Sequence, residues 1–287
     1  MNTVSGIGSV AVVGAGLMGA GIAESVAVAG LPVVVRDIDE VVIGRAREKI
    51  ESSLARAVAG GKLDAARAGS ARERIELTTD LEAIAGADLI IEAVPENRDL
   101  KLEVMEAIGR AAGDDGVIAS NTSSIPIAEL AQAVGRPERM LGLHFFSPVP
   151  VMRLVEIVVA LDTSASTVAT ATAFVREIGK RPIETKDRSG FIVNMLLIPY
   201  LVAAVRMYAE GFASREDIDA GMKLGCGHPM GPLTLCDFIG LDVVYAICDS
   251  LVEEFKAHEY APPPLLKRMV ASGRLGRKSG RGFYEYE

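Results

Sequence analysis

Short apolar runs alternate with longer amphipathic segments over the first two thirds of the chain, which is the pattern of a parallel sheet with helical crossovers. Between the second and third runs, the residues from Asp39 to about Arg74 are predicted to form a helical hairpin, because their helical pattern is interrupted only at Gly60-Gly61-Lys62. The predicted strands are Val10–Val13, Val33–Arg36, Ile75–Thr78, Leu89–Ala93, Val117–Ser120, Leu141–His144 and Leu154–Val159.

The pattern changes at the charged stretch KRPIETKDR, residues 180–188, where we expect a domain boundary. Beyond it, apolar residues recur every three or four positions, which is the spacing of helices. Turns are expected at Gly211, Gly225–Pro232 and Pro262–Pro264. The sequence thus predicts an α/β domain over residues 1–186 and an all-α domain over residues 187–287.

Composition and charge narrow the possible partners. The 287-residue chain has a formal net charge of −8, which argues against non-specific binding to nucleic acid or to an anionic membrane surface. No apolar run is long enough to span a membrane, and the N-terminus lacks the basic segment and cleavage site of a signal peptide. A cytoplasmic location is therefore expected.

The three cysteines, Cys226, Cys236 and Cys248, occur without a C-x-x-C pair or a group of histidines nearby. Each is flanked by apolar residues, so we expect small buried side chains rather than a disulfide or a metal site.

The most specific motif is a glycine turn within VAVVGAGLMGAGIAESVAVAG, which is followed by VVVRD. Gly14, Gly16 and Gly19 have the spacing of a dinucleotide-binding turn: they allow a tight turn, approach of a pyrophosphate and close helix–strand packing, respectively. The following helix start offers N–H groups to the phosphates. Asp37, about 20 residues on, is placed to bind the adenine ribose and favours NAD, although the adjacent Arg36 leaves NADP open. A Rossmann-like sheet that binds NAD is expected.

Three polar residues stand where the pattern calls for apolar ones. His144 ends the run LGLHFF, Glu156 interrupts LVEIVV, and Asn194 lies within GFIVNMLLIPYL. Each also has a structural interpretation. His144 could be a hydrogen-bonded core histidine, Glu156 a carboxylate that faces solvent, and Asn194 an amide that makes a packing contact. Together they suggest chemistry, because a histidine held by a carboxylate at a strand end is suited to act as a general base near a ligand.

Ser123 and Ser124, in ASNTSSIPIAEL, have both a structural and a functional interpretation. A serine pair just before Ile-Pro is typical of helix capping, which we expect of at least one of them. The hydroxyl that does not cap the helix is available for a substrate oxygen.

The chain resembles the short 3-hydroxyacyl-CoA dehydrogenases over nearly its whole length. The resemblance implies that His144 is the catalytic base, that Glu156 orients and supports it, and that Ser123 and Asn194 contact the substrate's oxygens. It implies reversible oxidation of a (3S)-3-hydroxyacyl thioester, with hydride passing to NAD⁺ and no metal. The motifs that carry it are GAGLMGAGIA, EAVPEN, SNTSSIPI, GLHFFSPVPVMRLVEI, SGFIVN, DIDAGMKLGCGHPMGPL and LGRKSGRGFYEY.

The same resemblance implies further site residues and a partner. Lys62 in the helical hairpin is expected to help hold the adenosine phosphate of an acyl-CoA. The helical domain is expected to bind the substrate's acyl end and to form a homodimer. The positions expected to contact the cofactor are Gly14, Gly16, Leu17, Met18, Gly19, Asp37, Glu96, Lys101 and Asn121.

The chain departs from the family pattern at three places. Ser147 follows HFF where Asn is usual, Met195 follows Asn194 where Arg is usual, and an acid further along that helix is replaced within VAAV. If the missing Arg and acid normally pair, their joint loss is a change to apolar packing. These departures leave open a dehydrogenase of a carrier-protein thioester, or an NAD-binding relative without catalysis.

Overall fold

The computed structural model describes residues 4–286, and the chain divides into two compact units, the first ending at Asp187 and the second beginning at Arg188. The first unit is built on a sheet. Its strands are β1 (Val10–Val13), β2 (Val33–Arg36), β3 (Ile75–Thr78), β4 (Leu89–Glu92), β5 (Val117–Ser120), β6 (Met140–Phe145), β7 (Leu154–Val159) and β8 (Arg181–Lys186).

Within the described residues, the sheet has eight strands in the order β3-β2-β1-β4-β5-β6-β7-β8. Every neighbouring pair is parallel except β6 and β7, which are antiparallel. The strands β1, β4 and β5 are fully buried, as their mostly apolar sequences require for a sheet covered on both faces. The carboxyl ends of β1, β2, β4, β5 and β6 therefore lie along one edge of the sheet, where open α/β sheets bind ligands.

The helices pack on the sheet through apolar faces, and four of them begin at polar caps. Asp39, Asp64, Asn97 and Ser164 each accept a hydrogen bond from a backbone N–H in the first turn of the helix that follows. The expected helical hairpin is α2 and α3. The helices of this unit are α1 (Leu17–Val28), α2 (Glu40–Ala59), α3 (Ala65–Glu73), α4 (Arg98–Ala111), α5 (Ile127–Val134) and α6 (Ala165–Glu177).

The strand β8 is absent from the sequence-based prediction, which treats its residues as part of a domain boundary. Along Arg181–Lys186 the first, fourth and sixth residues are exposed, because β8 is an edge strand. The sequence of β8, RPIETK, contains a proline and charged residues, which occur in edge strands and do not form the apolar run of a central strand. The apolar pattern therefore does not reveal it. The predicted α/β class with a Rossmann-like sheet and a helical C-terminal region is confirmed.

The second unit consists of helices around its own apolar core. Met195 packs against this core, and Val202, Ala204 and Val205 are part of it. The two departures from the family pattern in this helix are thus filled by apolar packing. The helices are α7 (Val193–Ala209), α8 (Arg215–Ala220), α9 (Pro232–Ile239), α10 (Leu241–Phe255) and α11 (Pro264–Ala271).

The expectation that all three cysteines are buried is wrong for one of them. Cys236 and Cys248 are buried, whereas Cys226 is exposed because it follows a π-helical turn, Gly221–Gly225, at the surface of the second unit. Among residues 4–286, no helix has both the length and the apolar character to cross a membrane.

Candidate active site

The predicted His–Glu pair forms across the antiparallel strands β6 and β7. His144 and Glu156 are directly opposite in the register, so both side chains lie on the same face of the sheet. His144 Nδ1 is 2.7 Å from Glu156 Oε2, and the two residues are 6% and 0% exposed. The solvent-facing alternative for Glu156 is therefore wrong. A carboxylate that accepts the Nδ1–H fixes the tautomer in which Nε2 carries the lone pair of a base.

Neighbouring groups hold the histidine's strand in place. The backbone N–H of Phe145 donates to Asn121 Oδ1 at 2.9 Å, which ties β6 to the residue that follows β5. The ring of Phe146 packs against the imidazole, with the ring centroids 4.6 Å apart. These contacts limit the movement of His144, so its orientation is set before any ligand binds.

The loop that carries Ser123 is organised by one carboxylate oxygen. Glu96 Oε1 accepts hydrogen bonds from Thr122 Oγ1 at 2.6 Å, from the Ser123 N–H at 2.9 Å and from the Ser124 N–H at 3.1 Å. Ser124 Oγ donates to the same oxygen at 2.9 Å, and Ser123 Oγ lies 3.4 Å from it. The loop is thereby fixed at the carboxyl end of β5, beside the strand that carries His144.

The serines do not cap the next helix, contrary to the sequence-based expectation. Helix α5 begins at Ile127 after Pro126, with no side-chain cap from its own segment. The N–H groups of Ile127 and Ala128 instead donate to the carboxylate of Asp187, at 2.9 and 2.7 Å. A carboxylate about 60 residues away in sequence caps the helix, which a local motif search cannot detect.

A buried ion pair lies under this loop. Lys101 Nζ is 2.6 Å from Glu92 Oε1 and 3.4 Å from Glu96 Oε2, and it donates to the Val94 carbonyl at 3.1 Å. Lys101 is 1% exposed and Glu92 is 0% exposed. Lys101 and Glu96 were predicted as cofactor contacts. The contacts within the chain place both of them in the support of the Ser123 loop.

The charge of Glu96 is maintained by these partners. Burial by itself raises the pKa of its carboxyl, but the Lys101 ammonium and the hydrogen bonds from the loop lower it, and the net shift is downward. Glu96 is therefore an anion that accepts hydrogen bonds throughout the neutral range.

Glu92 is a further residue of this site that was not predicted, although the sequence contains an indication of it. The run LIIE ends a buried strand with a carboxylate, just as Glu156 interrupts LVEIVV. A buried carboxylate requires partners, and Glu92 has them in Lys101, in the Val94 N–H at 2.7 Å and in Ser120 Oγ at 2.5 Å.

The variant Lys101→Met is expected to destabilise the fold by about 3 to 5 kcal/mol, because it leaves the fully buried Glu92 without its cation. The melting temperature of the purified protein, measured by circular dichroism, should fall by roughly 10 °C. The double variant Glu92→Gln/Lys101→Met should recover part of this loss, since it removes the unpaired charge. A double variant less stable than Lys101→Met would contradict the ion-pair account.

The glycine turn has the features of a dinucleotide cradle. Gly14 has a φ of +107°, and a Cβ there would lie 2.6 Å from the Ala93 carbonyl carbon. Around Gly16 the space that a Cβ would occupy is open, as close approach of a phosphate requires. Helix α1 starts after Gly16 with no side-chain cap and no acidic residue in its first turn, so its N–H groups are available to an anion. Among the other predicted cofactor contacts, Leu17 is 65% exposed and Met18 is half-buried.

Asp37 connects the glycine turn to the end of β2. Its carboxylate accepts the Ala15 N–H at 2.7 Å and the Ile38 N–H at 2.8 Å. A carboxylate held in this way still has lone pairs for ribose hydroxyls, and its charge opposes a 2′-phosphate. The Arg36 Nε donates to the Thr79 carbonyl at 3.4 Å, on the side of β3. Asp37 thus suits the free ribose hydroxyls of NAD, and the Arg36 guanidinium is engaged by the Thr79 carbonyl.

A cavity of about 310 Å³ opens between α1, α2 and the loop that follows β6. Its lining includes the cations Lys49 and Arg56, the carboxylates Glu24 and Glu48, and Ser147 to Pro150 of the loop. Lys62, the predicted phosphate contact, is not among the residues that line it and lies exposed in the turn between α2 and α3. The basic residues of the cavity wall are therefore Lys49 and Arg56. Asn194 belongs to the second unit, where it is buried in the first turn of α7.

The chain matches two family models. Residues 9–188 match the NAD-binding domain of 3-hydroxyacyl-CoA dehydrogenase, and residues 190–286 match the C-terminal domain of 3-hydroxyacyl-CoA dehydrogenase. The chain is 49% identical over 279 residues to a 3-hydroxybutyryl-CoA dehydrogenase of Mycobacterium tuberculosis, covering 96% of this chain and 98% of that protein. It is 41% identical to the mitochondrial hydroxyacyl-coenzyme A dehydrogenase of Sus scrofa, covering 97% and 91%.

Solved structures agree in fold. The crystal structure of Mycobacterium tuberculosis FadB2 superposes with a TM-score of 0.97 at 49% identity, covering 98% of this chain and 99% of that one. The (S)-3-hydroxybutyryl-CoA dehydrogenase PaaH1 from Ralstonia eutropha superposes with a TM-score of 0.93 at 46% identity, covering 98% and 99%.

Proposed function

Because this chain belongs to the 3-hydroxyacyl-CoA dehydrogenase family, we propose that it interconverts (3S)-3-hydroxyacyl-CoA and 3-oxoacyl-CoA, with 3-hydroxybutyryl-CoA as the substrate. The observation that carries the proposal is the buried His144–Glu156 pair at the ligand-binding edge of the sheet. The chain supplies both an NAD cradle and a general base, which an NAD-binding protein without catalysis does not need.

The proposed chemistry follows from the tautomer of His144. With Nδ1–H donated to Glu156, Nε2 takes the proton of the C3 hydroxyl during oxidation and returns it during reduction. Glu156 stabilises the imidazolium that this transfer creates, because its buried carboxylate oxygen Oε2 lies 2.7 Å from His144 Nδ1. Bound NAD⁺ supplies the acceptor for the hydride that leaves C3. Ser123 and Asn194 are proposed to hold the substrate's oxygens in position for this transfer.

The proposed cofactor contacts follow the cradle. Asp37 binds the adenine ribose, Gly14 to Gly19 enclose the diphosphate, and Asn121, whose oxygen is held by Phe145, offers its amide N–H groups toward the nicotinamide end. The acyl-CoA diphosphate is proposed to bind at Lys49 and Arg56 in the cavity, and Lys62 stays the proposed contact of the CoA adenosine phosphate. The thioester arm then passes along the Ser147–Pro150 wall, which begins three residues after His144.

The chain is further proposed to be cytoplasmic and to form a homodimer through its second unit. Large apolar side chains are exposed there, which supports an interface on that unit. Light scattering of the purified chain measures its oligomeric state, and a monomer at micromolar concentration would overturn this proposal. The exposed side chains are Leu196, Phe212, Leu224, Phe238 and Val243.

The enzyme is expected to oxidise NADH with acetoacetyl-CoA, and to prefer NADH over NADPH by about a hundredfold in kcat/KM because Asp37 opposes a 2′-phosphate. The measurement is the loss of absorbance of the reduced cofactor with each dinucleotide in turn. Asp37→Asn, which removes the repelling charge but keeps an acceptor, should narrow the preference.

Two outcomes would contradict the proposal. Turnover with an acetoacetyl carrier protein but not with acetoacetyl-CoA would favour the carrier-protein alternative. NADH binding without turnover of either thioester would indicate a protein that only binds the cofactor.

A further inference from the structure

Lys180 is a buried cation that the proposed chemistry does not use. It is 9% exposed and lies just before β8. Its Nζ donates to the Val149 carbonyl at 2.6 Å and to the Met152 carbonyl at 2.8 Å. A single ammonium thus joins two points of the loop that follows the histidine strand.

The loop is also closed by bonds within itself and packed into the apolar core of the unit. Its own backbone bonds run from the Val151 and Met152 N–H groups to the Pro148 carbonyl, and they close it on itself. Val149 is 2% exposed and packs toward Gly21 of α1, where an added Cβ would lie 3.0 Å from the Val149 Cβ. The loop is therefore held both by the Lys180 ammonium and by packing against Gly21 of α1.

A carboxylate accompanies the lysine. Glu24 of α1 is 4% exposed, lines the same cavity and accepts Ser53 Oγ at 2.9 Å. Burial raises the pKa of the Glu24 carboxyl, while Ser53, Arg56 and Lys180 lower it. Burial likewise lowers the pKa of Lys180, and Glu24 opposes that shift. The net shift is upward for the pKa of Glu24 and downward for that of Lys180, so burial outweighs the attraction between the two charges.

We propose that Lys180 is a positioning residue, which fixes the Ser147–Met152 loop as the wall along which the arm of the acyl-CoA lies. The inference rests on the proposed function, and it concerns binding of the CoA portion rather than the chemical step. Lys180 touches neither the reacting carbon nor the cofactor in this account. It acts through the Val149 and Met152 carbonyls, which hold the segment whose residues Ser147 to Pro150 line the cavity.

The test compares two thioesters in the intact enzyme. On this proposal the long arm of acetoacetyl-CoA lies along the cavity wall, whereas S-acetoacetyl-N-acetylcysteamine lacks most of that arm. For Lys180→Met we expect KM for acetoacetyl-CoA to rise about tenfold or more, while kcat/KM for the short thioester changes by less than about threefold, because only the remote part of the substrate loses contacts. Lys180→Arg retains a cation and N–H donors, so its KM for acetoacetyl-CoA should lie between those of Lys180→Met and the wild type.

Two further variants keep the result interpretable. Gly21→Ala adds a methyl group against Val149 and displaces the same loop without altering a charge, so it should show the same selective loss. Lys186→Met, an exposed lysine on β8, is the matched control and should leave both substrates unaffected.

The outcomes separate the two proposals. Equal loss with both thioesters in Lys180→Met and in Gly21→Ala would show a general structural role and overturn the inference alone. A wild-type enzyme that turns over neither thioester would overturn the proposed function and, with it, the inference.

Discussion

Replacement of His144 by Gln is expected to lower kcat for NADH-dependent reduction of acetoacetyl-CoA by about a thousandfold, with the NADH dissociation constant within about twofold of wild type. Glutamine has a similar reach and can still donate a hydrogen bond to Glu156, but it does not exchange a proton at neutral pH. The loss should therefore fall on the chemical step. Steady-state rates and NADH fluorescence titration measure the two quantities separately.

The matched control is His258→Gln, an exposed histidine in the second unit, for which no change in rate is expected. If His144→Gln retained more than about a tenth of the wild-type kcat, proton transfer by the imidazole would not be the main contribution of this residue. A comparable fall in NADH affinity would instead assign His144 to cofactor binding.

Replacement of Gly19 by Ala is expected to abolish NADH binding and to destabilise the fold by about 1 to 3 kcal/mol or more, as overpacking does. A Cβ at Gly19 would lie 1.8 Å from the Gly14 carbonyl oxygen and 3.2 Å from Val12 Cγ1, so the turn itself must move. Thermal unfolding followed by circular dichroism measures the stability, and isothermal titration calorimetry measures NADH binding.

Alanine variants of two other glycines serve as comparisons for stability and NADH affinity. Gly16→Ala enters open space, so its melting temperature should stay close to wild type while NADH affinity falls about tenfold, because the methyl group occupies the approach of the diphosphate. Gly44→Ala, on the exposed side of α2, should raise stability by about 0.5 to 1 kcal/mol and leave NADH affinity unchanged. Equal NADH affinity in Gly19→Ala and wild type would contradict the cradle account.

The sheet could be predicted from the sequence because its central strands are short apolar runs with no competing interpretation. The predicted bounds of β1, β2, β3, β5 and β7 agree with the structure, whereas β6 is longer at both ends and β4 ends at Glu92 instead of Ala93. Strand β8 was missed because edge strands are specified by pairing with a neighbour, and charged residues and proline are common in them. It follows its partner β7 after the single helix α6, and the two strands pair in parallel at the edge of the sheet.

The support of the site was harder to predict than its central pair. His144 and Glu156 are 12 residues apart on consecutive strands, so their pairing can be proposed from the sequence. Asp187 caps a helix about 60 residues earlier, and Lys180 reaches a loop about 30 residues earlier, and neither contact has a local pattern. Long-range polar contacts of buried groups depend on the tertiary fold, which explains why the serine caps were wrongly expected and Lys180 was missed.

The most direct measurement is a crystal structure of the wild-type enzyme with NAD⁺ and acetoacetyl-CoA bound together. The account predicts that the 3-oxo oxygen lies within about 3 Å of His144 Nε2, in hydrogen-bond reach of the group that protonates it. Nδ1 of that ring should remain against the Glu156 carboxylate, and the adenine ribose should bind Asp37. A thioester whose keto oxygen sits away from the imidazole, with another acid in its place, would contradict the account.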